Sequence, residues 1–384
     1  MKIFSRVLQA LAAAALCVVT ACSDKTVPVS VPAGADVALV MYQLNEAVPA
    51  KVEAAWRQAS EQVCRELGLP PQEGADPASV MISTLQQFVP ADGARIITNV
   101  LGLKAGQKNL SANTIALTWK SPASLQGDLE SPATVREGLA VTVLNKDFDY
   151  AAFCSDLYAM DPKAEQVLKR EGDWLKFNEE EMGKNLGGLF VGFREAKNKG
   201  LVYLIAKNME KAEESYAGGS VDGAVAWALS TKGLADGPAF RLGVNNVGAL
   251  LQKCAGPSEM RMILKEMPSL LDVTALKVEV AYEGVALKIT LEVEASEADS
   301  LKPLEVMAWE SLMQGRMMAK MMESSALGTF LDGVTIEMKK KTLAISCKIE
   351  PDWVVDVLKE YAAERAREME LEKDGTVTLR DICR

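Results

Sequence analysis

The chain has no histidine among its 384 residues. That removes Ser-His-Asp and Cys-His nucleophile systems, HExxH zinc sites and imidazole metal triads. It also lacks SxxK and GxSxG, and no glycine-rich loop fits a phosphate or dinucleotide fingerprint. The stretch GKNLGG, Gly183–Gly188, shares only its glycines with such a loop and reads as a turn. Positive charge is in deficit: 42 basic residues face 52 acidic ones, a formal net charge of -10. An acidic surface repels phosphate backbones and anionic headgroups, so nucleic acid is excluded as a partner. No apolar run beyond the first two dozen residues is long enough to span a bilayer. Cysteines Cys64, Cys154, Cys254, Cys347 and Cys383 are dispersed, with no CxxC pair, which excludes a dithiol redox motif and a zinc ribbon. Their odd number leaves at least one without an intrachain partner; Cys347–Cys383, both in the last unit, is the pairing expected. No cofactor and no metal are expected. A hydrophobic share of 49% excludes disorder.

What is present specifies a place. Lys2 and Arg6 precede an apolar stretch, Val7–Val19, broken only by Gln9. It is too short for a permanent span and has the length and flanks of a secretory signal. It ends in Val19-Thr20-Ala21-Cys22, an aliphatic residue, two small ones and a cysteine, which resembles the lipobox of bacterial lipoprotein precursors. The resemblance implies that residues 1–21 are removed and that Cys22 receives a diacylglyceryl thioether and a further acyl chain. At about 0.8 kcal/mol per buried methylene, such chains hold a protein on a bilayer essentially permanently. Ser23 rather than Asp after the cysteine implies the outer membrane over the inner one. Residues 22–34, including KTVPVSVPAG, read as a lipidated N-terminus and a spacer lifting the body off the membrane.

Hydrophobic patterning organises the body into two related α+β modules, 35–217 and 239–384, joined by a glycine-rich linker, 218–238. Val37–Leu44 is a strand buried on both faces, followed by a helix whose stripe is Val48, Val52, Trp56, Ala59, Val63 and Leu67. Hairpins at 113–144 and 189–206 each precede a helix, beginning at Asp147 and Met209. The second half repeats the plan. A strand and two helices cover 240–270, and a hairpin alternates Leu276, Val278, Val280 and Tyr282 with polar residues, then Val285 to Val293. Pairing Tyr282 with Val285 places Glu279 opposite Lys288. A helix follows over 298–324, then a hairpin of Val334, Ile336 and Met338 with Leu343, Ile345, Cys347 and Ile349, and a helix from Pro351. This order of antiparallel hairpins, each with a helix on one sheet face, is similar to large uncharacterised bacterial lipoproteins built from hairpin–helix units. The similarity is architectural and carries no activity.

Candidate sites are few. Met313, Met317 and Met321 stack at i, i+4 and i+8, with Met318 and Met322 beside them. With Arg316, Lys320 and Glu323 as a polar stripe, the methionines read as the helix's core face, and Met313, Met317, Met318 and Met321 as the lining of an apolar groove. Soft thioethers also suit Cu(I), a weaker fit. Asp147 and Asp149 are expected to cap the following helix rather than to act as an acid pair or bind calcium. The polar loop Ser121–Arg136 and Trp227, read as a short strand or exposed anchor, are possible contact points. Glu364–Lys373 reads as a solvated helix end. The expected protein is a non-catalytic binding or scaffold lipoprotein, contacting the bilayer through Cys22 and an envelope protein or surface ligand through its body. The alternatives are a carrier of an apolar molecule between helix layer and sheet, and a His-independent hydrolase.

Overall fold

Alternating apolar residues in both halves of the chain assemble into one antiparallel sheet of twelve strands. The structure, a computed structural model, describes residues 27–44, 48–66, 82, 85–86, 89–107, 110–121, 138–160, 163–178, 188–232, 238–253 and 258–371. In chain order the first half comprises β1 (Val37–Tyr42), α1 (Ala50–Glu66), α2 (Ala91–Leu101), β2 (Ala112–Trp119), β3 (Leu139–Asn145), α3 (Tyr150–Met160) and the short α4 (Ala164–Val167). Then come β4 (Leu168–Glu171), β5 (Trp174–Phe177), β6 (Phe190–Glu195), β7 (Gly200–Ala206), α5 (Met209–Ala217) and α6 (Gly223–Leu229). The second half comprises β8 (Pro238–Asn245), α7 (Val247–Lys253), α8 (Ser258–Glu266), β9 (Val273–Glu283), β10 (Ala286–Ala295), α9 (Lys302–Met321), α10 (Ser325–Asp332), β11 (Thr335–Lys339), β12 (Thr342–Ile349) and α11 (Pro351–Leu371).

The strand order is β11-β12-β10-β9-β8-β1-β2-β3-β7-β6-β5-β4. Outward from the central β1–β8 pair, both halves place the next hairpin first and then the following one with its second strand inward. The expected α+β class with antiparallel hairpins is therefore present, but the two halves share a sheet. β1 is apolar throughout because it lies at the centre: Ala38, Val40 and Tyr42 are buried on one face and Met41 on the other.

Two cores flank the first half. On one face Ile96, Ile97, Val100 and Leu101 of α2 and Phe153 of α3 pack with Met41, Ile115 and Val143. On the other, α5 and α6 pack over Ala38, Val40 and Leu204. The second half has a smaller core at one end of its strands, where Leu301, Leu304 and Leu343 meet Val273 and Ala295.

Three expectations change. The spacer is not free-standing. Val29 and Val31 are buried beneath α5 and α6, and residues 27–35 are bonded to the body: Val27 N donates to Leu229 O at 3.2 Å and Val31 N to Ser215 O at 2.9 Å. Ser30 and Pro32 are buried beside the valines, and Ser30 is held between Thr118 and Thr142. Within the linker, residues 223–229 form a helix rather than an open connection. Ala224, Val225, Ala228 and Leu229 form the wholly buried stripe of α6, and Trp227 is a half-buried helical residue. Gly243 permits this approach, since a Cβ there would lie 2.0 Å from the Ala224 carbonyl. Finally, the β9–β10 register pairs Glu283 with Ala286 and Val280 with Ile289, so Glu279 faces Thr290. Gly284, at φ +72°, occupies the first central position of a two-residue loop, the position a type II′ turn reserves for glycine. The slip is two residues, so every side chain keeps its face.

Candidate functional site

The methionine helix is the most distinctive surface. A 3-10 turn, Ala298–Leu301, feeds α9, with Pro303 in its first turn. Leu304, Leu312 and Ala319 are its buried residues, a stripe at i, i+8 and i+15. Gly315 lies on the same stripe and leaves room for Leu331 of α10, whose Cδ1 would be 3.2 Å from an added Cβ. Arg316, expected on the solvent side, is half-buried against α10, with Nε 3.1 Å from the Asp332 carboxylate. The methionines are turned outward. Met313, Met317, Met318, Met321 and Met322 are 54 to 82% exposed. They line no groove between helix and sheet, which corrects the core-face reading. The physical reason is that polar residues (Lys302, Glu305, Glu310, Gln314, Arg316, Lys320) are interleaved with apolar ones round α9, so periodicity alone chooses no face. The close approach of α10, which small Gly315 and Ala319 allow, chooses it instead.

Beyond α9, Ser324 caps α10, its Oγ accepting from Leu327 N at 3.1 Å. Glu360 on α11 accepts from Ser324 Oγ, from Ser325 Oγ at 2.8 Å and from Ala326 N at 2.9 Å. Burial pushes the Glu360 carboxyl up, but the bonds from Ser324 and Ala326 outweigh it and hold it below the ordinary glutamate value. Trp353 Nε1 donates to Ala326 O at 2.7 Å, and its ring lies 4.8 Å from that of Phe330.

The other charged constellations are structural pins. Arg241, buried between β8 and α6, donates to Glu279 at 2.7 Å and to Ser230 O at 2.6 Å, with its guanidinium 4.8 Å from the Trp227 ring centre. Tyr42 donates its hydroxyl to Ala228 O, and burial raises its pKa far above the ordinary value. Asp149 caps α3 as expected, accepting from Ala152 N at 2.9 Å. Asp147 instead bonds Lys104 at 2.9 Å and Ser111 Oγ at 2.8 Å, and these bonds lower its pKa. The two aspartates thus serve different partners. Among the described residues no group of three or more Cys, Asp or Glu side chains could hold a metal ion.

Cys154 and Cys347 are free and half-buried, and burial raises both thiol pKa values, which keeps them protonated and unreactive. Cys22, Cys254, Cys383, the loop after Ser121 and most of GKNLGG lie outside the described residues, as do the side chains of Cys64 and of Glu364–Lys373. The disulfide expected for Cys347 therefore reaches outside them. A cleft of about 80 Å³ between Val29, Lys197, Val202 and Tyr216 is far below the several hundred Å³ of an organic ligand site. Sequence reasoning missed the Arg241 pin and the helices α2, α6 and α10. A basic residue inside the apolar alternation Phe240-Leu242-Val244 was the available signal for the pin.

Among the described residues no helix is long and apolar enough to cross a membrane. No protein-family model matches the chain, and no curated protein matches its sequence. Among solved structures, crystal forms I and IV of TP0453 are similar at a TM-score of 0.37 and 11% identity, covering 88% of this chain and 97% of that one. Crystal form III of the same protein gives 0.35, with 98% of its chain covered.

Proposed function

We propose that the protein is a bacterial envelope lipoprotein, anchored in the outer membrane through acylated Cys22. Its body binds an envelope protein or surface ligand without transforming it. The observation that carries this reading is the quartet Val19-Thr20-Ala21-Cys22 directly behind an apolar h-region. It is supported by the engagement of the candidate acids: Asp147 with Lys104, and Asp149 as a helix cap. The carrier alternative loses its basis, because Met317 and Met321 are surface residues.

The test begins with the mass of the N-terminal peptide from native membranes, which should carry a diacylglyceryl and an acyl group on Cys22. Cys22→Ala should move the protein from the membrane to the soluble fraction. An unmodified Cys22 in the mature protein would remove the anchor. Crosslinking and pull-down of the tethered protein then test the binding role, and turnover of a substrate abolished by replacing one acidic side chain would overturn it.

A further inference from the structure

Charge is spread unevenly over this acidic chain, and lysines crowd the place where the N-terminal segment leaves the body. Val27 N donates to Leu229 O, and Tyr42, the last residue of β1, donates to the neighbouring Ala228 O. Val27 therefore lies at the strand ends that β1 reaches with Tyr42. Pro28 and Val29 share the wall of one cleft with Lys197 of the β6–β7 turn. Lys199 closes that turn, its carbonyl accepting from Asn145 N, and Lys146 follows Asn145 at the end of β3. On the other side of the segment, Lys232 comes three residues after Leu229. All four lysines are exposed.

The acids nearby do not cancel them. Asp147 is paired with Lys104, and Asp149 caps α3. Glu213 and Glu214 of α5 are bonded to Arg194 and Lys211. Glu195 stands exposed at the start of the lysine turn. Lys104, Lys146, Lys197, Lys199 and Lys232 against Asp147, Asp149 and Glu195 leave positive charge in excess, in a chain of net charge -10. The tether then fixes what this charge meets. Cys22 is five residues before Val27, so the connecting chain reaches at most about 17 Å. An anchor so close holds these strand ends near the bilayer and keeps the opposite ends, a β7 length of roughly 20 Å away, off it. Lysine stems extend their ammonium groups further toward lipid phosphate, where attraction acts within a Debye length of about 8 Å.

We propose that the strand ends bearing Lys146, Lys197, Lys199 and Lys232 lie against anionic phospholipid headgroups of the bilayer that anchors Cys22. The inference rests on the lipoprotein reading above and adds an orientation to it. The acyl chains supply the affinity, and the lysines choose which end of the sheet faces the lipid. The acidic remainder of the body is turned away by the same field.

The experiment reads lysine access to a water-soluble amine-acetylating ester, quantified for each peptide by mass spectrometry. Full-length lipidated protein is compared on phosphatidylglycerol–phosphatidylethanolamine vesicles and on phosphatidylcholine vesicles. The Cys22→Ser chain in vesicle-free buffer is the reference. Lys207 after β7 and Lys340 in the β11–β12 turn, exposed at the opposite strand ends, are internal controls. Lys146, Lys197 and Lys199 should react about threefold or more slowly on the anionic vesicles, with Lys207 and Lys340 unchanged and the protection relieved by high salt. Reference-rate acetylation on anionic vesicles, with the acyl mass present on Cys22, overturns this orientation and leaves the anchor standing. Absence of the acyl mass overturns the anchor and this inference with it. Equal protection on both kinds of vesicle would overturn the preference for anionic lipid. Protection of the Cys22→Ser chain that grows with protein concentration in buffer would show that a second copy covers these lysines, and would also overturn it.

Discussion

Arg241 is a charge placed where the molecule can least afford to lose it. Its side chain is 4% exposed and bridges strand, helix and ion-pair partner at the centre of the sheet. Arg241→Ala leaves the Glu279 carboxylate and the Ser230 carbonyl without their donor, and should cost about 3 kcal/mol of stability. Urea unfolding measures it, and a loss under about 0.5 kcal/mol would show that the pin holds nothing. At the β9–β10 tip Glu283 behaves differently. Bonds from Lys288 and Lys348 lower its pKa to about 2, and all three groups are exposed. A carboxyl lowered on folding adds stability above its ordinary value, and that stability is lost as pH falls from about 4.5 toward 2. A carboxyl NMR titration of Glu283 should show the low midpoint in wild type, and Lys348→Met should raise it.

At the scale of elements, period decides what the sequence discloses. Strands with period two were legible: the apolar rows on β9, β10 and β12 lie on the faces their alternation assigns, even though the β9–β10 register slips by a pair. Register depended on whether Gly284 takes the first or second place in the turn, a choice alternation does not encode. The Val52, Trp56, Ala59 and Val63 stripe of α1 is likewise the side turned inward. Helix α9 is ambiguous because apolar and polar residues alternate round its wheel, and α6 because its seven residues give too short a window for periodicity. Exposure gives the α9 assignment a direct check. Met317→Asp with Met321→Asp should change thermal stability by no more than about 0.5 kcal/mol, whereas two core methionines would cost several. Calorimetry distinguishes the two.

For the molecule as a whole, β1 and β8 pair along five residues, Val37 with Val244 through Met41 with Phe240. A fragment covering 239–384 would leave the β8 edge open and deprive Arg241 of the Trp227 and Ser230 carbonyls. Expressed alone it should fail to show a cooperative calorimetric transition or should aggregate, while the full chain melts in one transition. Independent melting of the fragment at the temperature of the full chain would contradict this. The seam also bears on ancestry. An antiparallel pair at the midpoint, with matching hairpins counted outward on either side, is the arrangement two identical half-length polypeptides would adopt about a dyad normal to the sheet. Joining two such halves head to tail makes the assembly independent of concentration, and the β4–β5 ribbon then marks where this chain's halves differ.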